Sequence, residues 1–155
     1  AAYPDAAAMA LAEPDEVMPL ISSIGLFRSK ARNIVATARQ LTAEYDGEVP
    51  ATRAELMRLP GVGRKTANVV LGALYNIPAI AVDTHVGRLA RRLGFSRHDN
   101  PDKVELDLQK TFRQEDWIFA HHALILHGRR ICTARKPACA ICTVRDWCPS
   151  RDSFG

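Results

Sequence analysis

Apolar residues along the chain recur every three or four positions, the spacing that places them on one face of an α-helix. The clearest example covers residues 30–45, where the apolar positions are Ala31, Ile34, Val35, Ala38, Leu41 and Tyr45. Gly47 and Pro50 follow this run and predict the end of the helix. Residues 80–82 (Ile-Ala-Val) resemble a strand, but this run is too short to build a sheet. We therefore predict an all-α fold.

Local signals place further helices along the first half of the chain. Thr52 and Glu55 have the spacing of a capping box, which predicts a short helix ending near Leu59 and Pro60. A second helix is expected over residues 64–75, directly after a Gly-Val-Gly turn. The two helices and the turn together predict a helical hairpin.

Three more helices are predicted in the second half. Asp83 and Thr84 are N-cap candidates for a helix that Gly94 ends. Residues 100 and 101 (Asn-Pro) start the next helix, because proline is favoured at the first helical position. The last one covers about residues 116–130 and ends just before the first cysteine.

Composition and charge narrow the class of protein only slightly. The chain has 155 residues, 47% hydrophobic and 25% charged, which is enough for one domain or two small ones. Its net charge of +4 is a weak indication of a polyanionic partner. No apolar run is long enough to span a bilayer, and the first basic residue is Arg28, so we expect neither a membrane partner nor a signal peptide. We expect an intracellular monomer.

All four cysteines lie close together near the C-terminus with the spacing C-x6-C-x2-C-x5-C: Cys132, Cys139, Cys142 and Cys148. Four thiolates on so short a segment can converge on an iron–sulfur cluster or a structural zinc. The x2 link is the usual chelate spacing, whereas the other two are wider than the paired C-x2-C typical of zinc. Two disulfides are the alternative and need an oxidising compartment. The spacing therefore predicts a metal centre, with a cluster favoured over zinc.

Residues 59–65 (LPGVGRK) carry a second chemical signal. Gly61 and Gly63 permit positive φ and let a phosphate approach without a Cβ in the way. The amides at the following helix start, together with the helix dipole, favour an anion. An ordinary helix–helix turn is the alternative, but the flanking Leu-Pro and Arg-Lys favour phosphate binding.

Residues 59–68 (LPGVGRKTAN), residues 82–86 (VDTHV) and the cysteine spacing together resemble the endonuclease III family. This family contains bifunctional DNA glycosylase/abasic-site lyases of the helix-hairpin-helix–Gly/Pro–Asp superfamily. The resemblance implies a [4Fe–4S] cluster on the four cysteines and double-stranded DNA with damaged bases or abasic sites as partner. It implies a partial helical barrel domain over residues 1–77 and a cluster domain over residues 78–155. The implied function is the removal of oxidised pyrimidines, followed by cleavage of the abasic site by β-elimination. If the organism is bacterial, the implied location is the cytoplasm, in association with the nucleoid.

In this resemblance Lys65 matches the family's nucleophile and Asp83 matches its catalytic aspartate. A carboxylate stabilises positive charge on the sugar, and an amine attached to C1′ forms a Schiff base that permits β-elimination. The structural alternatives are a solvated surface lysine and a plain helix cap. The expected DNA contacts are the hairpin residues Gly61, Val62, Gly63 and Arg64, and the loop residues Arg135 and Lys136.

Two other functions remain open. A monofunctional adenine or mismatch glycosylase of the same fold lacks the lysine, so Lys65 argues against it. A non-catalytic DNA-binding module with a structural metal uses the hairpin and the cysteines, but does not need Lys65 and Asp83 together. Members of the family carry an N-terminal segment that has no counterpart here, and we therefore expect the chain to be a fragment of a longer polypeptide.

The remaining arginines and tryptophans have less specific interpretations. One predicted helix carries Arg88, Arg91 and Arg92. These arginines form either a solvated face or contacts to phosphates. Trp117 and Trp147 are expected to pack in the protein and not to stack on bases.

Overall fold

The computed structural model describes residues 2–153, and within that range it contains helices and no strand. The all-α prediction is confirmed. The α-helices are α1 (Ala6–Ala10), α2 (Pro14–Val17), α3 (Phe27–Glu44), α4 (Arg53–Leu56), α5 (Arg64–Tyr75), α6 (Thr84–Arg92), α7 (Pro101–Thr111) and α8 (Trp117–Arg130). Turns of 3-10 helix lie at Pro19–Ile21, Gln114–Asp116, Cys139–Ile141 and Arg145–Trp147. Of the helices in the described range, none is long and apolar enough to cross a membrane.

The predicted helices are all present. α5 covers the predicted residues, whereas α3 begins at Phe27, earlier than the apolar pattern indicated, after Leu26 in the left-handed conformation. Two short helices, α1 and α2, were not predicted, because five and four residues are too few to show a helical period.

Two of the predicted helix starts are held by side-chain caps. The hydroxyl of Thr52 accepts a hydrogen bond of 3.3 Å from the amide of Glu55 at the start of α4. The side chain of Asn100 accepts bonds of 2.9 Å and 3.2 Å from the first free amides of α7. Each bond satisfies a donor that the helix itself leaves without a partner, which explains why these helices begin where they do.

The segment Ala1–Ala67 forms one compact unit. Its buried core is built from α1, α2 and α3, with Ala12, Val17, Ala31 and Val35 at the centre. Arg39 on α3 fixes the connection between the two short helices, since its guanidinium donates bonds of 2.9 Å to the carbonyls of Ala10 and Ala12. The long helix α3 is therefore the element against which the rest of this unit is arranged.

The segment Asn68–Gly155 forms the second compact unit. Its core lies where α6 packs against α7 and α8, and it contains Ile80, Val82, Val86, Leu89, Ala90, Val104, Leu108 and Leu124. The amide of the buried Asn68 donates a 2.9 Å bond to the carbonyl of Ile80, which holds the extended residues 80–82 against the unit. The predicted domain boundary after residue 77 stays a prediction.

The two tryptophans lie in different environments. Trp117 packs against the core and donates a 3.0 Å bond from Nε1 to the carbonyl of Phe112, as predicted. Trp147 is 79% exposed, so the prediction that it packs in the protein was wrong. The 3-10 turn that carries Trp147 is held by backbone hydrogen bonds within residues 132–148, which we call the cysteine segment. This turn places the ring outside the core.

Candidate functional site

The hairpin turn between α4 and α5 is held in shape by α3. Gly61 has a φ of +75°, and a Cβ at this position would overlap the side-chain amide of Asn33 on α3. One helical turn further along α3, the hydroxyl of Thr37 donates a 3.0 Å bond to the carbonyl of Pro60. The glycine is therefore required by backbone conformation and by close approach together.

The same turn presents two backbone donors. The amide of Val62 donates a 3.1 Å bond to the carbonyl of Leu59, so it is already used within the turn. The amides of Gly61 and Gly63 have no acceptor among residues 2–153. Space around a Cβ at Gly63 is open, and α5 begins directly after it. Two available amides beside a helix start can donate to an anion such as a phosphate.

Lys65 is an exposed residue in the first turn of α5, two positions beyond Gly63. Arg64, its neighbour, is partly buried. An amine that is reachable from solvent and stands beside an anion-binding turn can meet a sugar whose phosphate is held there. The location of Lys65 thus agrees with the sequence prediction, while its role stays a prediction.

Asp83 lies in the second unit, immediately before α6, where it is partly buried. Its Oδ1 accepts a 2.8 Å bond from the amide of Val86, which makes it the N-cap of that helix. Within the described part of the chain, Oδ2 has no hydrogen-bond partner. The cap interpretation is confirmed, and one carboxylate oxygen remains available for a ligand.

The four cysteines Cys132, Cys139, Cys142 and Cys148 are free thiols that line one cavity. The disulfide alternative is therefore wrong. A single zinc would hold four sulfurs about 3.8 Å apart, given Zn–S bonds of about 2.3 Å. In residues 2–153 no three potential ligands are gathered closely enough for one metal ion. The four cysteines nevertheless line the same cavity, so they are available to one metal centre.

The charge around this cavity also fits an iron–sulfur cluster. Arg92, Arg145 and Arg151 contribute to its lining, and these cations complement the net negative charge of a cluster with thiolate ligands. His127 lies with Nε2 at 3.5 Å from Cys142 Sγ. Burial lowers the pKa of His127, which favours the neutral imidazole. The sequence pattern did not single out this histidine, because the relevant contact joins α8 to the cysteine segment.

The arginines of α6 correct the sequence interpretation. Arg88 donates bonds of 2.8 Å to the carbonyl of Gly128 and 3.0 Å to that of Cys132. Arg92, one turn later, reaches the carbonyls of the two residues after Cys132. Both guanidinium groups are bound to backbone carbonyls, so the interpretation as a solvated face was wrong for both, whereas Arg91 is exposed and pairs with Asp99 at 3.4 Å. The i, i+4 spacing of Arg88 and Arg92 was the available signal that they share a face.

The loop between the first two cysteines is folded back on itself. Thr133 donates a 2.6 Å bond from its hydroxyl to the carbonyl of Lys136, and Ala138 donates a 2.9 Å bond to the carbonyl of Ile131. Arg135 and Lys136 stand exposed on this closed loop. Both side chains are thus presented to solvent from a backbone of defined shape, as a phosphate contact requires.

Comparison with known proteins places the chain in a family. Residues 1–114 match the HhH-GPD superfamily of base excision DNA repair proteins, and residues 132–148 match the iron–sulfur binding domain of endonuclease III. Endonuclease III of Rickettsia felis is 51% identical over 134 residues, covering 86% of this chain and 63% of that protein. Endonuclease III of Synechocystis sp. is 48% identical over 149 residues, covering 96% of this chain and 68% of that protein. The chain thus spans about two thirds of the length of these curated relatives.

A solved structure agrees with the sequence comparison. The structure of a trapped endonuclease III–DNA covalent intermediate has a TM-score of 0.92 and 45% identity, covering 97% of this chain and 71% of that chain. The chain belongs to the HhH-GPD superfamily of base excision DNA repair proteins, and within it to the endonuclease III family. The prediction of a [4Fe–4S] cofactor is confirmed with it, since the cysteine segment matches the family's iron–sulfur binding domain.

Proposed function

We propose that the protein is a bifunctional base excision repair enzyme that removes oxidised pyrimidines from double-stranded DNA and cleaves the abasic site by β-elimination. The observation that carries this proposal is the exposed amine of Lys65 beside the two available amides of Gly61 and Gly63. The similarity to the endonuclease III that was trapped covalently on DNA supports the same chemistry.

The DNA backbone is held by two groups of residues in this proposal. The amides of Gly61 and Gly63 bind one phosphate, assisted by the positive end of the α5 dipole and by Arg64. Arg135 and Lys136 contact further phosphates from the folded loop after the first cysteine. Because these contacts address the backbone, they position the DNA without reading its sequence.

Lys65 and Asp83 carry the chemistry. The amine of Lys65 attacks C1′, a nitrogen–carbon bond forms, and the damaged base leaves with the bonding electrons and takes up a proton. The Oδ2 of Asp83 stabilises the positive charge that develops on the sugar. The C1′–O4′ bond then breaks as O4′ takes up a proton and the nitrogen loses one, which gives a Schiff base. The Schiff base acts as an electron sink, so loss of a proton from C2′ expels the 3′ phosphate.

The four cysteines Cys132, Cys139, Cys142 and Cys148 are the proposed ligands of the [4Fe–4S] cluster. When bound, the cluster cross-links the segment after α8, which contains few buried apolar residues. The ligand role predicts that a Cys→Ser change loosens this segment before it affects the core of the second unit.

Borohydride trapping on a duplex with one abasic site tests the proposed function. Lys65→Ala should abolish the reduced protein–DNA adduct and leave DNA binding nearly unchanged, because the exposed side chain forms no hydrogen bond or ion pair within residues 2–153. Lys103→Ala, another exposed lysine at a helix start, is the matched control and should trap at the wild-type rate. Wild-type trapping by Lys65→Ala would refute the nucleophile assignment.

Trapping, combined with a measurement of base release from damaged duplex, separates the two alternative functions. A monofunctional glycosylase would release the base from damaged duplex without forming an adduct in either variant. A non-catalytic DNA-binding module would bind the duplex and neither release a base nor form an adduct.

A further inference from the structure

The side chain of Arg92 connects α6 to the sulfur of the first cysteine. Its Nη1 donates bonds of 3.2 Å to Cys132 Sγ and 2.7 Å to the carbonyl of Thr133, and Nη2 donates a bond of 2.8 Å to the carbonyl of Ala134. A guanidinium is planar and its donors have a fixed geometry, so three such bonds define its position. The Cys132 sulfur therefore receives a hydrogen bond from a guanidinium group.

The surroundings of Arg92 keep this contact in place. Its own carbonyl lies 3.5 Å from Cys148 Sγ, so residue 92 touches the first and the last cysteine of the set. Arg88, one turn earlier, donates separately to the carbonyl of Cys132. The main chain of Cys132 is thus anchored by Arg88, while Arg92 acts on its sulfur.

We propose that Arg92 is a positioning residue of the [4Fe–4S] site that raises the reduction potential of the bound cluster. The proposal rests on Cys132 being a cluster ligand, as proposed above. A hydrogen bond and a positive charge at a ligand sulfur both stabilise negative charge on the cluster. The reduced state of any one-electron couple carries one more negative charge than the oxidised state, so it gains more from Arg92.

The midpoint potential of the cluster in DNA-free holoprotein tests this proposal. A one-electron titration with ferricyanide and ferrocyanide compares wild type with Arg92→Met, which removes both donors and charge. We expect the oxidised-to-reduced ratio at a fixed potential to rise about tenfold, which is a fall of about 59 mV for a one-electron couple.

Arg91→Met is the matched control, because it removes the same charge from the adjacent residue, whose guanidinium pairs with Asp99. Its ratio should change less than about twofold, since an exposed charge is screened by solvent. Equal shifts in the two variants would show a general charge effect and overturn the proposal, as would a wild-type potential in Arg92→Met.

If Arg92→Met does not retain its cluster, the midpoint potential is measured in Arg92→Gln instead. Glutamine can still donate to a loop carbonyl but places no cation at the sulfur. A potential below wild type supports the proposal, and a wild-type potential overturns it. Because Lys65 trapping does not enter this measurement, failure of the proposed enzyme activity and failure of this proposal give different results.

Discussion

At the scale of single residues, Asp83 combines a structural and a proposed chemical role in one carboxylate. Oδ1 caps α6 through the amide of Val86, and Oδ2 is available for a ligand. The sequence allows both roles for Asp83 but cannot assign them to the two oxygens separately. In the structure one oxygen is enough for the cap.

The two roles of Asp83 can be separated by substitution. Asparagine caps helices as well as aspartate does, so Asp83→Asn should leave the free energy of unfolding within a few tenths of a kcal/mol of wild type. Base release should slow by roughly 10²-fold or more, because the charge at the sugar is lost. Asp83→Ala should in addition lose about 1 kcal/mol of stability. Thermal unfolding and single-turnover base release measure the two effects, and unchanged base release in Asp83→Asn would leave only the cap.

At the scale of elements, the helices with strong local signals were predictable and their mutual packing was not. The caps Thr52 and Asn100 and the glycine turn before α5 are local, so their positions follow from sequence. The bonds from Arg88 and Arg92 to the cysteine segment join residues about forty positions apart, and no local pattern encodes them. The same holds for the contact of Gly61 with α3.

The packing of α8 against α6 depends on Gly128. A Cβ at this position would lie 3.1 Å from the side chains of His85 and Leu89 on α6. Gly128→Ala should therefore force the helices apart and cost about 1–3 kcal/mol of unfolding free energy. Gly72→Ala on α5 is the control: its Cβ would be 3.7 Å from Ile118, an ordinary contact, and the better helix propensity should stabilise by about 1 kcal/mol. Chemical denaturation measures both, and equal effects would exclude a close helix crossing at Gly128.

At the scale of the whole molecule, the sequence motifs and the structure lead to the same family by different routes. The motifs come from short segments around the hairpin, Asp83 and the cysteines, whereas the structural similarity covers 97% of the chain. Short motifs cannot encode a pocket for the damaged base, because such a pocket is formed by side chains from several segments. The contacts to the DNA phosphate backbone, in contrast, follow from local features and can be tested on intact protein.

The free energy of DNA binding should have one contribution that depends on the salt concentration and one that does not. Each cation that neutralises a phosphate releases about one counterion, whereas backbone amides release none. The double change Arg135→Ala, Lys136→Ala should therefore weaken binding to lesion-free duplex and flatten the slope of log K against log[salt] by up to about two units. The double change Lys103→Ala, Lys110→Ala removes the same charge from exposed positions on α7 and should flatten the slope much less. Equal slopes in the two double variants would mean that only net charge matters, and the loop after Cys132 would then have no specific contact with DNA.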